Sequence, residues 1–464
     1  MGERPIGSPP AMEPGIEIPG SPRPSLTGLP KAGRALLRFG SPRRLRKTFL
    51  WLREIAATLR RRRAEPRLTV AVDVNSLYET LTGVGWYLHQ LLVHMAERDD
   101  LRLRLYGQAL VEADPGAPRP VVDFPAGPAI ERVVWEAPDG LVVPPWRAHQ
   151  ILRRLAPLLM AADGNRVLFA PNYLFPRLFR FAKGARVATV HDLGVRKVPW
   201  AVRPDSGEAL REGLDRTILE ADLLLTPSEA VRRELIEMGV APDRARAIHH
   251  GTGLVSGDGA GTPPPGTPAR YALHVGTVEP RKNVPALLAA WRLLRRRGIA
   301  PPPLVLCGGF GWKAEEVRRE IEEAGREGWL VHPGYVGAEE LAALYRGAEM
   351  VALPSFYEGF GLPAVEAMRA GAPLVASDIP VLREVAGDAA LYAPPDRPDL
   401  WADRIQELLG DAGLREELRR RGLERARMFD WSRAAAETAA AFHAAAGAPG
   451  TAGVPPADQL KKRS

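Results

Sequence analysis

The stretch SFYEGFGLPAVEAMRAGAP, residues 355–373, sets Glu358 in a glycine-containing turn and Glu366 eight residues further on, where apolar spacing predicts a helix. A carboxylate at a helix start is an ordinary partner for the helix dipole. Two of them around a turn where Gly359 and Gly361 let a ligand approach the backbone can also hold the hydroxyls of a sugar. A carboxylate at Glu366 can accept two hydrogen bonds from the vicinal hydroxyls of a ribose or simply form an acidic first turn, and Pro363 suits the first helical position. A second group lies upstream in YALHVGTVEPRKN. Gly276 closes a strand there, and Arg281 and Lys282 occupy the loop before a helix that Asn283 is placed to cap. An Arg-Lys pair is usually a solvated surface pair. At the carboxyl end of a strand, beside a helix N-terminus, it is what a diphosphate requires. The third candidate, His191, ends the strand RVATVHD. Such a histidine is either a capping or core residue or part of a site, and the His-Asp pair at a strand end points to a site. Asp192 then orients it or caps the segment that follows.

Rigid elements must position these groups. From residue 67 the chain alternates short β-branched runs with helical spacing. RLTVAVDVNS, LRLRLYG, ERVVWE, NRVLFAP, RVATVHD, DLLLTPS and RARAIHHG read as strands, with helices at 145–162, 207–220 and 228–238. SGDGAGTPPPGTP, residues 256–268, is a linker. Behind it RYALHVG, PPLVLCGG, WLVHPGY, EMVALPS and APLVASD alternate with helices at 283–297, 313–325, 338–346, 362–370 and 397–427. The expectation is an α/β chain of two doubly wound domains, 67–255 and 269–428, with ligands in the cleft between them. A helix at 429–446 is expected to pack back on the first domain, and the tail 447–464 to be disordered.

A chain of 464 residues exceeds one ordinary core. With 45% hydrophobic and 25% charged residues it reads as soluble and globular. No run approaches the roughly 20 apolar residues of a membrane span, and the N-terminus lacks a secretory core, so the expected location is the cytoplasm. Cys307 is alone, which excludes an internal disulfide framework and makes it a small buried hydrophobe. Of the net charge of +8, residues 1–66 carry +9 from 14 Lys/Arg and 5 Glu, leaving −1 for the rest. A body so nearly neutral lacks the basic surface of a nucleic-acid binder. Residues 1–30, rich in Pro, Gly and Ser, are expected to be disordered. PRRLRKTFLWLREIAATLRRRR, residues 42–63, has the spacing of a basic amphipathic helix. It either lies peripherally on the anionic inner face of the cell membrane or packs on its own domain with the basic face in water.

Five motifs in order, VGTVEPRKNVPALLAAW, LVLCGGFGWK, HPGYVGAEELAALYRGAEMVALPS, PSFYEGFGLPAVEAMRAGAPLVASD and REVAGDAALYAPPDRPDLWADRI, resemble the C-terminal domain of family 4 retaining glycosyltransferases, including their E-x7-E signature. TGVGWYLHQLL, LFAPNYLFP, TVHDLG and LTPSEAVRREL are similar to the N-terminal half, so the resemblance covers about 67–445 and implies the GT-B fold. It implies that Glu366 binds the donor ribose, and that Glu358 contacts hydroxyls of the transferred sugar beside the amides of Gly359, Phe360 and Gly361. The N–H of Leu362 and Lys282 would hold the diphosphate, with Arg281 near it. Gly334, Tyr335 and Val336 would line the base pocket, and His191 would face the sugar from the other domain. Gly83 and Gly85 would let the first loop approach phosphates or acceptor. Thr277 follows Gly276 where many members carry an arginine, and Arg281 is the expected substitute. The GTVEPRKN form resembles a subgroup that includes bacterial mannosyltransferases, which makes GDP-mannose the expected donor ahead of UDP sugars.

The chain has no Asp-x-Asp. Charge on a departing diphosphate would therefore fall to Lys282, Arg281 and a helix N-terminus, with no metal and no cofactor beyond the nucleotide sugar. The expected acceptor is a glycan or a lipid-linked saccharide. The alternatives are a sugar-phosphate or glucan synthase of the same fold, or an inactive membrane-assembly subunit. A dinucleotide oxidoreductase is disfavoured, because the third glycine after Gly83 and Gly85 would fall at Leu88 and no acid ends LRLRLY.

Overall fold

The computed structural model describes residues 42–78, 83–107, 122–133, 162–173, 183–252 and 261–447. Residues 1–41, nearly all of the helix expected at 145–162, the start of the linker and the tail from 448 lie outside the described residues. The first lobe is a seven-stranded sheet: β1 (Leu68–Asp73), β2 (Leu101–Tyr106), β3 (Ile130–Arg132), β4 (Val167–Ala170), β5 (Ala185–Thr189), β6 (Leu223–Thr226) and β7 (Ala245–Ala247). Its order is β3-β2-β1-β4-β5-β6-β7. The second lobe has six strands: β8 (Ala272–Val275), β9 (Leu304–Cys307), β10 (Leu330–Gly334), β11 (Met350–Leu353), β12 (Leu374–Ser377) and β13 (Ala390–Ala393), in the order β10-β9-β8-β11-β12-β13. All neighbours are parallel.

The central strands VLFA, LVLC, MVAL and LVAS are buried along their whole length, as they must be when helices cover both faces. The helix Val284–Arg296 supplies one cover, burying Val284, Leu287, Leu288, Trp291 and Leu294 along one stripe. The C-terminal helix Trp431–Gly447 returns to the first lobe. Phe442 meets Phe169 of β4 at 5.0 Å between ring centroids, and His443 Nε2 bonds Asp100 at 2.8 Å.

The helix Pro42–Arg63 packs on the first lobe by its second half. Ile55 is buried, and Arg62 pairs with Glu131 (2.6 Å) and Asp163 (3.2 Å). Arg104 of β2 is fully buried. It donates to Glu131 at 3.0 Å and to the carbonyls of Arg62 (2.6 Å) and Asp163 (2.7 Å), so a strand charge inside the sheet fixes the helix end.

Two sequence expectations need correction. The helix expected over 397–427 is two helices, Pro398–Gly410 and Ala412–Ala426. Asp411 breaks it with extended backbone and caps the second piece by accepting from Leu414 N at 2.9 Å. Asn283 does precede its helix, but its side chain caps nothing. It adopts φ 53° and ψ 40°, and Nδ2 ties the carbonyls of Pro354 (3.0 Å) and Pro395 (2.7 Å) together. The helix Pro380–Ala386 and strand β13 complete the second lobe without having been expected as elements.

Candidate active site

The order of the second sheet decides which loops meet. β8 and β11 are neighbours, so the loops leaving their carboxyl ends lie side by side although about 75 residues separate them in sequence. The first carries Arg281 and Lys282, and the second carries Glu358. Lys282 Nζ lies 2.6 Å from Glu358 Oε1, and Arg281 reaches Oε2 at 3.1 Å. Ser355 Oγ donates to Oε1 at 2.7 Å. Arg281 also pairs with Glu279 (2.9 Å) and donates to the Tyr357 carbonyl (3.2 Å). Glu358 is only 8% exposed. Burial by itself would raise its pKa, but the charges of Lys282 and Arg281 outweigh burial and bring it down to about 2.

Glu366 sits in the helix Leu362–Ala370, and Pro363 is its second residue. The Tyr345 hydroxyl donates to Oε2 at 2.7 Å. Burial lifts its pKa to about 7, against the opposing Tyr345 hydrogen bond and Lys282 charge. Two carboxylates eight residues apart are thus driven in opposite directions by their surroundings. Gly361 begins that helix at φ 89°, a backbone open to glycine and strained for most other residues. On the other side Gly276 lies against the Lys282 side chain, and Thr277 beside it is exposed. Gly334 has φ 77°, Val336 is buried, and Tyr335 is 85% exposed, a free aromatic face at the end of β10.

From the first lobe, His191 follows β5 and is half-buried. Its Nε2 donates to the Pro171 carbonyl at 2.7 Å, and its ring stands edge-on to Tyr87 at 4.8 Å. Burial holds its pKa below the ordinary value. Asp192 accepts from Gly194 N at 2.9 Å, the capping role among the two expected for it. Gly83 and Gly85 open the helix Gly83–Met95, with Gly83 exposed and Gly85 buried.

The turn that carries Glu358 is pinned to the first lobe. Tyr357 donates to Glu234 (2.7 Å) and accepts from Leu193 N (2.9 Å), while Ser228 Oγ donates to the Gly359 carbonyl at 2.8 Å. Further along, Glu384 accepts from Glu229 N and Ala230 N, both at 2.7 Å, and pairs with His249 at 2.8 Å. These partners are 123 to 164 residues apart, and no local pattern announces them. Gly359 leaves no room for a side chain, since a Cβ there would run into the His191 carbonyl. Gly359→Ala is expected to cost about 1–3 kcal/mol of stability through this overpacking and to lower turnover. Thermal melting and kcat measured on the same preparation check both.

Two Rossmann-like lobes that meet at strand ends, with paired cations and buried carboxylates on one of them, make the GT-B arrangement of glycosyltransferases. Solved structures share it. Sucrose-phosphate synthase from Thermosynechococcus elongatus superimposes with a TM-score of 0.61 at 23% identity, over 82% of this chain and 99% of that one. Anabaena HepE in complex with UDP and glucose gives 0.58 at 17% identity, over 82% and 100%. Residues 264–425 match the family model Glycosyl transferases group 1, and residues 81–254 match Glycosyltransferase Family 4. O-antigen chain mannosyltransferase B of Escherichia coli is 32% identical over 379 residues, spanning 78% of this chain and 96% of the relative. A serotype-specific mannosyltransferase of the same organism is 28% identical over 297 residues, which span 63% of this chain and 32% of that longer protein. The chain belongs to the glycosyl transferases of group 1.

Proposed function

We propose that this glycosyltransferase moves mannose from GDP-mannose to a glycan or lipid-linked saccharide acceptor, with retention of configuration and without a metal ion. The observation that carries the reading is the charge cluster in which Lys282 and Arg281 converge on Glu358 at the ends of β8 and β11. Such cations, with side chains only 12% and 24% exposed, would stabilise the negative charge that builds on a leaving diphosphate. The helix Leu362–Ala370, which begins soon after Glu358 in the chain, would add its N-terminus to the anion site. Tyr335 offers its ring to the base, Glu366 accepts from the ribose, and Glu358 accepts from hydroxyls of the transferred sugar. His191 approaches from the other lobe. Among the described residues no three His, Cys, Asp or Glu side chains are grouped to hold an ion.

Retention by double displacement needs a carboxylate free to attack the anomeric carbon. Glu358 is held by Arg281 and Ser355 as well as by Lys282, so it stays engaged even when Lys282 turns to a diphosphate, and Glu366 is held by Tyr345. Transfer on the front face, with the leaving diphosphate taking the acceptor proton, suits the geometry better. The similarity to mannosyltransferases supports mannose as the transferred sugar. The test is hydrolysis and transfer from a panel of nucleotide sugars in EDTA. GDP-mannose should be consumed fastest and yield an α-mannoside. Preference for a UDP sugar would overturn the donor, and rescue by manganese would overturn metal-free chemistry.

The first half of the helix Pro42–Arg63 supports a membrane-side acceptor. Phe49 (62% exposed) and Leu50 stand in water beside exposed Arg46, Lys47 and Arg53. Exposed apolar side chains flanked by three cations and one acid, Glu54, suit an anionic interface. Among the described residues no helix is long and apolar enough to cross a membrane. The full chain should co-sediment with vesicles containing phosphatidylglycerol, and Phe49→Asp with Leu50→Asp should abolish this without loss of turnover on a water-soluble acceptor. Equal binding to neutral vesicles, or binding untouched by the substitutions, would contradict it.

A further inference from the structure

His274 of β8 is 1% exposed, and its two ring nitrogens have unequal surroundings. Nδ1 donates to the Ala352 carbonyl of β11 at 2.9 Å, which fixes the tautomer and leaves Nε2 as a bare lone pair. That lone pair is buried and has no hydrogen-bond partner. A link between β8 and β11 needs only Nδ1, so a purely structural histidine leaves Nε2 unexplained, and an orphaned buried acceptor is uncommon.

Its surroundings supply the explanation. Nε2 lies 3.7 Å from the point where a Cβ on Gly276 would stand, and Lys282 Cδ and Cε lie 3.5 Å from the same point. Nε2 and the Lys282 side chain therefore border the same space, while the ammonium is turned to Glu358. Burial, opposed by the Ala352 hydrogen bond, brings the His274 pKa down to about 4, with the neighbouring Lys282 charge lowering it and Glu358 raising it. The ring is thus a neutral acceptor at ordinary pH.

Glu358 already receives hydrogen bonds from Lys282, Arg281 and Ser355. A carboxylate offers about four lone-pair positions, so little acceptor capacity remains for sugar hydroxyls. On the nucleotide-sugar reading given above, Lys282 has to leave Glu358 when the donor arrives. We propose that His274 is the positioning residue for Lys282, its Nε2 taking one N–H of the ammonium as Glu358 turns to the sugar, so that the remaining N–H groups stay aimed at the diphosphate.

The test has one arm that needs no nucleotide. In the full-length Glu358→Gln variant the ammonium is released from its carboxylate, and ¹⁵N-histidine NMR should show Nε2 of His274 moving from a free to a hydrogen-bonded acceptor. The shift should vanish when Lys282→Ala is added. In the second arm, His274→Phe should raise the Kd for GDP about tenfold, the loss of one bond to a charged group. The same change in a Lys282→Ala background should alter Kd by less than about twofold, and His274→Gln should recover part of the affinity. If GDP does not bind the unaltered chain, the nucleotide reading fails while the Glu358→Gln spectrum still decides the role of His274. An unmoved Nε2 resonance, or equal losses of GDP affinity in both backgrounds, would overturn the proposal.

Discussion

Lys282→Ala is expected to lower turnover by about 10²–10³-fold, the typical effect of removing one charge-stabilising donor from a preorganised site. The fold should survive. Glu358 keeps Arg281 at 3.1 Å and Ser355 at 2.7 Å, so its carboxylate is not left buried without partners. The loss should fall on kcat as well as on donor KM, because charge on the diphosphate grows toward the transition state. Lys282→Arg should recover little, since a flat fork cannot replace a compact ammonium 2.6 Å from Glu358 on a stem that lies against Gly276. A full kinetic comparison at saturating acceptor, with thermal melting alongside, separates this from misfolding. If Lys282→Ala changed KM alone, the residue would bind ground state and transition state equally.

The second large effect belongs to Glu366, and it has a pH signature. As a carboxylate the group only accepts hydrogen bonds, whereas protonated it also donates. With its pKa at about 7, GDP affinity should rise as pH goes from 6 to 8, with a midpoint near 7. Glu366→Gln should flatten that profile and cut kcat/KM by about 10²-fold, the loss of charged hydrogen bonds to two hydroxyls. Stability runs the other way. A carboxyl whose pKa is raised on folding stabilises the fold below its ordinary value of 4.5, and that contribution is lost as pH rises through about 7. Above pH 7 the Glu366→Gln chain should therefore melt no lower than the unaltered one while binding GDP more weakly. Glu358 has the opposite sign, since its contribution is present above pH 4.5 and is lost as pH falls through about 2. Calorimetric titration and melting curves across pH check both directions.

What the sequence discloses follows the range of the interactions. Strands such as VLFA and MVAL declare themselves because burial on both faces demands unbroken apolar runs. Glu358, Glu366, Arg281 and Lys282 are ordinary residue types one at a time, and they stand out by position, in or just after glycine-containing turns between a strand end and a helix start. Their side chains meet only through sheet order, and nothing local pairs Lys282 with Glu358 across a sequence separation of 76. Tyr357 with Glu234, Ser228 with Gly359 and Glu384 with the Glu229 amide are equally invisible, because each joins the two lobes. His274 is the one polar residue in the apolar strand YALHV, a signal in the sequence that marks it. Asp411 misled by its surroundings: the periodicity runs on through it, and only its cap geometry turns one helix into two. Asn283 misled by type, since its side chain serves two distant carbonyls in place of its own helix.

The most direct measurement is a crystal structure of the chain with GDP, grown with manganese present. The diphosphate should lie against Lys282, Arg281 and the start of the helix Leu362–Ala370. The ribose should sit on Glu366, with no metal ion between protein and phosphate. A nucleotide bound away from the β8 and β11 loops, or a manganese ion bridging the diphosphate to protein carboxylates, would contradict this.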